Sequence, residues 1–331
     1  MSSTALFSLT GRRVLITGIQ GFIGIHTAAA AQRLGAQAAG IDLAQESPRA
    51  RQVRESLGMR PVEIHAADLM EQQAIVDILK EVRPAVIVHC AGSIERSTGA
   101  SDWARVFAGN ADVTASLVGA LLSLPAAERP VLVMPGSQME YGTAPMPWTE
   151  DRHCEPVNAY GAGKLAATEH VLAAARGHGL RACVLRLPIV FGPGQPPALF
   201  IPELIGKALR REAILMTEGN QRRAFLYVED AAELLLETAA RLAAGEAFPS
   251  LLNAPACPPI SIRELAEQLA RQLDATELLR PGALPKRSGE PLDAWPDTAL
   301  ASSLDFHTHT PLSDSLLKTI RWYQTNLWFL G

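Results

Sequence analysis

This chain has no excess of charge of either sign. Its 331 residues carry 30 Lys and Arg against 34 Asp and Glu, a net charge of -4. No basic face is therefore expected for a nucleic-acid backbone or an anionic membrane, and neither is expected as a partner. Cysteine is scarce. Cys90, Cys154, Cys183 and Cys257 show no C-x-x-C spacing, which argues against a disulfide frame and a cysteine zinc site. The adjacent His153-Cys154 has no second ligand pair, so no metal is expected. The N-terminus, Met1 to Thr10, lacks the basic region and long apolar run of a signal peptide. No apolar stretch approaches the roughly 20 residues of a transmembrane helix. The expected compartment is the cytoplasm. Internal repeats and low-complexity tracts are absent too. What is plentiful is apolar: 48% of residues are hydrophobic and 19% charged, enough for a sizeable core and against disorder.

The apolar residues alternate between short β-type runs and helical patterns. Strands are expected at Val14–Thr17, Ala38–Asp42, Val62–His65, Ala85–His89, Val131–Met134 and Ala182–Arg186. An alanine-rich segment from Thr27 to Leu34 and helical patterns over Gln72–Val82, Trp103–Leu122 and Tyr160–Arg176 fill the gaps. Near-continuous apolar strands alternating with helices imply parallel βαβ units, an α/β, doubly wound Rossmann-type sheet covered on both faces. After Arg186 the texture changes. The loop cluster Gly192-Pro-Gly-Gln-Pro-Pro197 precedes a helix at Phe200–Arg211, a strand at Phe225–Val228 and a helix at Glu229–Ala244. Ser261-Ile-Arg-Glu264 is a capping box opening a helix to about Leu273. We expect a dinucleotide-binding domain over residues 1–187, with a return segment at about 224–254. Residues 188–331 would form mostly a smaller substrate-binding α/β domain.

Gly18-Ile-Gln-Gly21-Phe-Ile-Gly24 follows the first strand and opens the first helix. Glycines in that context let the backbone approach a pyrophosphate, and the helix start supplies free N–H groups. Asp42 closes the second strand and can accept from ribose hydroxyls while repelling a 2′-phosphate, which favours NAD over NADP. Arg49 and Arg51 just downstream work against that preference. Asp68 suits either an adenine contact or a helix N-cap. Tyr160 and Lys164, four apart on a helix, share one face. An ammonium held against a phenol favours the phenolate and makes a proton-transfer device. Ser137, after the fifth strand, faces the ligand crevice expected at the strands' carboxyl ends.

These motifs in this order resemble the extended short-chain dehydrogenase/reductases, the branch of nucleotide-sugar epimerases, dehydratases and reductases. The resemblance also covers His89-Cys-Ala-Gly92, Asn110, Tyr141-Gly142, Arg186-Leu-Pro-Ile-Val-Phe-Gly-Pro193, Arg223 to Asp230, Arg287-Ser-Gly-Glu290 and Ser313 to Tyr323. It implies that Tyr160 is the acid/base, that Lys164 supports it and holds the nicotinamide ribose, and that Ser137 orients the reacting oxygen. It implies NAD contacts from Gly18, Gln20, Gly21, Phe22, Ile23, Gly24, Asp42, Asp68, Leu69, Ala91, Gly92, Asn110, Pro188 and Ile189, besides Tyr160 and Lys164. Ser137, Gln138, Arg223 and Arg287 would meet the substrate, the arginines through a diphosphate.

Two positions depart from the family pattern. Ile189 stands where many nucleotide-sugar enzymes place an asparagine. Gln138 and Met139 stand where 4,6-dehydratases carry the Asp-Glu that eliminates water, so that elimination is not expected. The readings left are an NAD-dependent nucleotide-sugar epimerase first and an NAD(P)H-dependent ketoreductase of a keto sugar second. The Gly136-Ser-Gln-Met-Glu-Tyr-Gly142 segment, similar to that of 4-keto-6-deoxy-sugar reductases, favours the second. A third reading, a non-catalytic dinucleotide sensor, does not require Ser137, Tyr160 and Lys164 together. The family often dimerises through two helices per subunit, here Trp103–Leu122 and Tyr160–Arg176, so a homodimer is expected.

Overall fold

Val14-Leu-Ile in the first strand and Val86-Ile-Val in the fourth are completely buried, as strands covered on both faces must be. In this computed structural model, which describes residues 8–94, 100–286 and 291–330, they lie at the centre of a parallel sheet. In chain order the elements are β1 (Arg13–Thr17), α1 (Phe22–Arg33), β2 (Gln37–Asp42), α2 (Pro48–Ser56), β3 (Glu63–Ala66), α3 (Gln72–Val82) and β4 (Val86–His89). Then follow α4 (Ala100–Ser123), β5 (Val131–Ser137), α5 (Ala159–His178), β6 (Ala182–Leu187), β7 (Ile189–Phe191), α6 (Phe200–Leu209) and β8 (Ile214–Leu215). After β9 (Arg222–Arg223) and β10 (Phe225–Tyr227) come α7 (Val228–Ala243), β11 (Leu251–Asn253), β12 (Ile260–Ser261) and α8 (Ile262–Gln272). The chain ends with β13 (Leu279–Arg280), β14 (Asp293–Ala294), α9 (Ala299–Ser303) and α10 (Leu312–Thr325).

The described residues fall into two compact units. The first takes those within 1–145, 149–187 and 231–254, and the second those within 146–148, 188–230 and 255–331. The first holds a seven-stranded parallel sheet in the order β11-β6-β5-β4-β1-β2-β3. From β1 the chain runs outward to β2 and β3, then crosses back to β4 on the other side of β1. Strand order therefore reverses between β1 and β4, and in such sheets the ligand crevice opens at the carboxyl ends of the two strands. Leu15, Ile41, Ile75, Leu79, Ile87, Leu117, Leu121, Leu132, Val171 and Val184 belong to one buried cluster that joins the sheet to α3, α4 and α5.

Contrary to the expectation from sequence, one segment, Asp102–Ser123 of α4, is long and apolar enough to cross a membrane by length and composition. Asn110 and Asp112 interrupt its apolar run, and Leu117, Val118, Ala120 and Leu121 are spent on the core.

The second unit holds short pieces: β10 beside β7, β9 between β12 and β14, and β13 beside β8. The Ser261/Glu264 capping box is present in both directions at the start of α8. Tyr323 of α10 is buried and donates its hydroxyl to the Gln195 carbonyl at 2.6 Å.

Candidate active site

Two glycines around the start of α1, Gly18 and Gly24, leave no room for a side chain. Gly18 has φ of 63°, and a Cβ there would lie 2.7 Å from the Ala91 backbone. A Cβ on Gly24 would lie 2.2 Å from the Gly18 carbonyl oxygen. The loop is thus folded tightly onto itself and onto the end of β4. Gly21 is the N-cap of α1 and has no side-chain cap, and the first turn holds no acidic residue. The helix start keeps its positive end and its unpaired amides available to an anion.

Asp42 closes β2 beside this loop. Its Oδ2 accepts from the Gln20 amide at 3.0 Å and its Oδ1 from the Leu43 amide at 2.9 Å. The Gln20 side chain points elsewhere: it donates to the Ala44 carbonyl at 2.8 Å and accepts from the Ser47 amide at 2.8 Å. Asp68 makes a local turn, accepting from the Met70 amide at 2.9 Å, and the N-cap of α3 is Glu71. Leu69 is buried in the core cluster, so its side chain is committed to packing. Arg51 pairs with Glu46 at 3.2 Å.

The candidate catalytic residues lie on the end of β5 and the first turns of α5. Asn158 caps α5, accepting from the Gly161 amide at 2.8 Å. Four residues apart on that helix stand half-buried Tyr160 and buried Lys164. Lys164 donates from Nζ to the Pro135 carbonyl at 2.8 Å, two residues before Ser137. A Cβ on Gly161 would lie 2.5 Å from the Met139 carbonyl oxygen, so the first turn of α5 sits directly on the turn that follows Ser137.

Ser137 is buried and caps that one-turn 3-10 helix, Gln138–Glu140. Its Oγ accepts from the Met139 amide at 3.2 Å, which leaves the hydroxyl proton to be donated. Gln138 is 5% exposed, and its Oε1 has no partner among the described residues. Tyr141, by contrast, is a structural tyrosine. Burial pushes its phenol up to about 12, and its one hydroxyl proton faces Asn253 Oδ1 at 2.7 Å, with the Thr149 carbonyl at 3.1 Å as a second, shared acceptor.

Sequence comparison decides the family. The pattern of the "NAD dependent epimerase/dehydratase family" matches residues 14–250. The chain belongs to that family. It is 25% identical to a UDP-glucose 4-epimerase of Mycolicibacterium smegmatis over 331 residues, covering 94% of this chain and 98% of that one. It is 26% identical to a dTDP-4-dehydro-6-deoxy-D-allose reductase of a Streptomyces species over 335 residues, 95% of this chain and 97% of that one. Among solved structures it is similar to MoeE5 in complex with UDP-glucose and NAD, with a TM-score of 0.79 and 26% identity, covering 95% and 99% of the two chains.

As an epimerase/dehydratase-family member of the extended short-chain dehydrogenase/reductase type, this is an enzyme and its cofactor is NAD. The residues present fit that dinucleotide: a backbone cradle closed to any side chain at Gly18 and Gly24, an uncapped helix start, and a carboxylate at the end of β2. The Ala91 backbone lies against Gly18, and Gly92 beside it faces Asn110. The Ala91 amide donates to Thr17 Oγ1 at 3.2 Å. Asn110 is buried, donates to the Ser93 and Val106 carbonyls, and leaves Oδ1 unpaired among the described residues. Phe22 packs edge-on against the His26 ring, and the Ile23 carbonyl accepts from Thr27 Oγ1.

Two residues that stand in quoted motifs but were given no role of their own lie beside these groups. His89, buried at the end of β4, has Nδ1 2.7 Å from Thr17 Oγ1 and Nε2 3.0 Å from Thr114 Oγ1. Thr17 already accepts from Ala91, and Thr114 donates to the Asn110 carbonyl at 2.7 Å. Every group is satisfied only if His89 is neutral, accepts at Nδ1 and donates from Nε2. Burial, with a smaller contribution from the Lys164 charge, holds it down at about 3. Glu140 is the other: it is fully buried and accepts from the Ser137 amide at 2.7 Å and from Arg186 Nε at 2.8 Å. The E-Y-G spelling after Ser137 was its only sequence signal.

In the second unit, Pro188 and Ile189 stand at the start of β7, where Ile189 pairs with Phe225. Arg223 is buried and donates to the carbonyls of Arg222, Leu292 and Pro291 at 2.7, 3.1 and 2.9 Å. Its neighbour Arg222 is bidentate to Asp293. Arg287 lies outside the described residues.

Proposed function

We propose that this enzyme is an NAD-dependent nucleotide-sugar epimerase that oxidises a sugar hydroxyl and reduces the resulting ketone from its other face. The bond from Lys164 Nζ to the Pro135 carbonyl carries the reading, because it seats the Tyr160/Lys164 face of α5 at the strand end that bears Ser137. NAD, when bound, supplies the hydride acceptor and then the hydride. Tyr160 takes the proton of the reacting hydroxyl and gives it back to the same oxygen on reduction. Lys164 spends one of its three N–H groups on Pro135, leaving two for the phenolate and the nicotinamide ribose. Ser137, its Oγ already accepting from Met139, donates its proton to the reacting oxygen. The Asp42 carboxylate meets the adenosine ribose and disfavours a 2′-phosphate. Gln138 and Met139 offer neither acid nor base, so the oxidised sugar is not led on to water elimination. Arg223 and Arg287 are proposed to hold the substrate diphosphate, and α4 with α5 to form a homodimer contact.

The second reading is a ketoreductase, favoured by the Gly136–Gly142 segment and by the likeness to the allose reductase. One experiment separates them. The purified protein is denatured and the supernatant assayed for NAD. An epimerase, which regenerates its cofactor at each turnover, is expected to release close to one NAD per chain. No released NAD, with turnover dependent on added NADH or NADPH, would replace the first reading by the second. Light scattering checks the dimer: a mass near twice the 35.5 kDa chain supports it.

A further inference from the structure

Beneath Ser137 lies a charge that no step of this chemistry uses. Glu140 is 0% exposed and its partner Arg186 2%. Glu140 Oε1 accepts from the Ser137 amide at 2.7 Å, and Oε2 accepts from Arg186 Nε at 2.8 Å and Thr168 Oγ1 at 3.0 Å. The three donors come from three elements: the end of β5, β6 and α5. Thr168 lies one turn beyond Lys164 and two beyond Tyr160, on the same stripe of α5. A single carboxylate therefore ties the Ser137 backbone and the Tyr160/Lys164 helix to one point. Burial raises this carboxyl, while the Arg186 charge and the Ser137 and Thr168 donors oppose that and favour the ionised form. Arg186 is fixed in turn, its guanidinium 4.6 Å over the Tyr141 ring. A pair buried this deeply is a poor source of stability, because the desolvation of both charges rivals their attraction. Its geometric role is the stronger one.

We propose that Glu140 is a positioning residue that sets the distance between the Ser137 hydroxyl and the Tyr160/Lys164 pair. The proposal rests on the hydride-transfer reading given above. The test is a double-mutant cycle on the NAD-loaded enzyme, with UDP-glucose as the probe and turnover expressed per bound NAD. Glu140→Gln is expected to lower kcat about 10- to 100-fold, the cost of a displacement near 1 Å, with KM changed less than about threefold. In a Ser137→Ala background the same substitution is expected to cost almost nothing more, since its effect passes through Ser137. An equal fold-loss in both backgrounds, the mark of a merely structural role, would overturn the proposal. Thr168→Val cuts only the α5 end of the tether and is expected to lower kcat about tenfold. It serves if Glu140→Gln does not fold, and an unchanged kcat there counts against the proposal. Tyr160→Phe is the control: if it turns over like wild type, the hydride-transfer reading fails rather than the positioning. Crystal structures of the Glu140→Gln or Thr168→Val holoenzyme decide independently of substrate. A Ser137 Oγ shifted by about 1 Å relative to the Tyr160 hydroxyl supports the tether, and an unmoved one refutes it.

Discussion

His89 makes this protein's stability depend on pH in a way that can be worked out in advance. In the unfolded chain its imidazole titrates near the ordinary 6.5; in the folded protein burial, reinforced by Lys164, holds it at about 3. Between those values the unfolded state binds a proton that the folded state refuses. Stability therefore rises with pH across this window. The contribution is complete above about 6.5 and is lost as pH falls toward 3. Each pH unit inside the window is worth about 1.4 kcal/mol, so at pH 5 about 2 kcal/mol of folding free energy has gone through this one residue. Other groups titrate in the same range, so the measurement is a difference. Urea unfolding of wild type and His89→Gln, with NAD in constant excess, gives the free energy at intervals from pH 5 to 7.5. Glutamine keeps one donor and one acceptor for Thr114 and Thr17. Its own titration is absent, so the variant's slope is expected to be shallower by about 1 kcal/mol per pH unit below pH 6. Histidine NMR, with the His89 resonance assigned by its loss in the variant, is expected to show no protonation down to pH 5. Equal slopes in the two proteins, or a His89 resonance that titrates near 6.5, would refute the neutral, doubly bonded imidazole.

Three further outcomes follow from the site. Tyr160→Phe removes the proton carrier while leaving the ring, so turnover is expected to fall at least about 10²-fold with NAD binding by calorimetry changed little. Gly24→Ala places a methyl group 2.2 Å from the Gly18 carbonyl oxygen, and the loop must open. We expect a loss of NAD affinity of tenfold or more and a fall in stability of about 1–3 kcal/mol, read by calorimetry and thermal melting. Asp42→Ala is expected to weaken NAD more than NADP, narrowing the preference seen in competition binding. An equal loss for both would argue that the carboxylate serves only the Gln20 and Leu43 amides.

The parallel sheet was legible in the sequence because strands buried on both faces are spelled as unbroken apolar runs, as in Val86-Ile-Val. The helix expected over Gln72–Val82 spans those residues because its apolar positions recur at helical spacing. The glycine loop was legible because close backbone approach leaves only one residue type. Of the elements the sequence pattern did not announce, two show different reasons. The helix α2 carries its signals openly, with Ser47 as a bonded N-cap and Pro48 at its first position, yet its charged, weakly apolar stretch reads as loop. The strand β11, at three residues, is too short for any periodicity to register, and only its pairing with β6 makes it a strand.

The positioning groups were missed for a deeper reason. Glu140 meets an arginine 46 positions away, and His89 meets threonines 72 and 25 positions away in opposite directions. Each looks ordinary in its own window. Tyr160 and Lys164 stand out because both stand on one helix, where spacing is fixed by the chain itself. Residues that act through another element acquire their partner only when the sheet closes. That is why the Tyr160/Lys164 pair could be singled out from spacing, while the contacts of Glu140 with Ser137 and Arg186 emerged only from the distances.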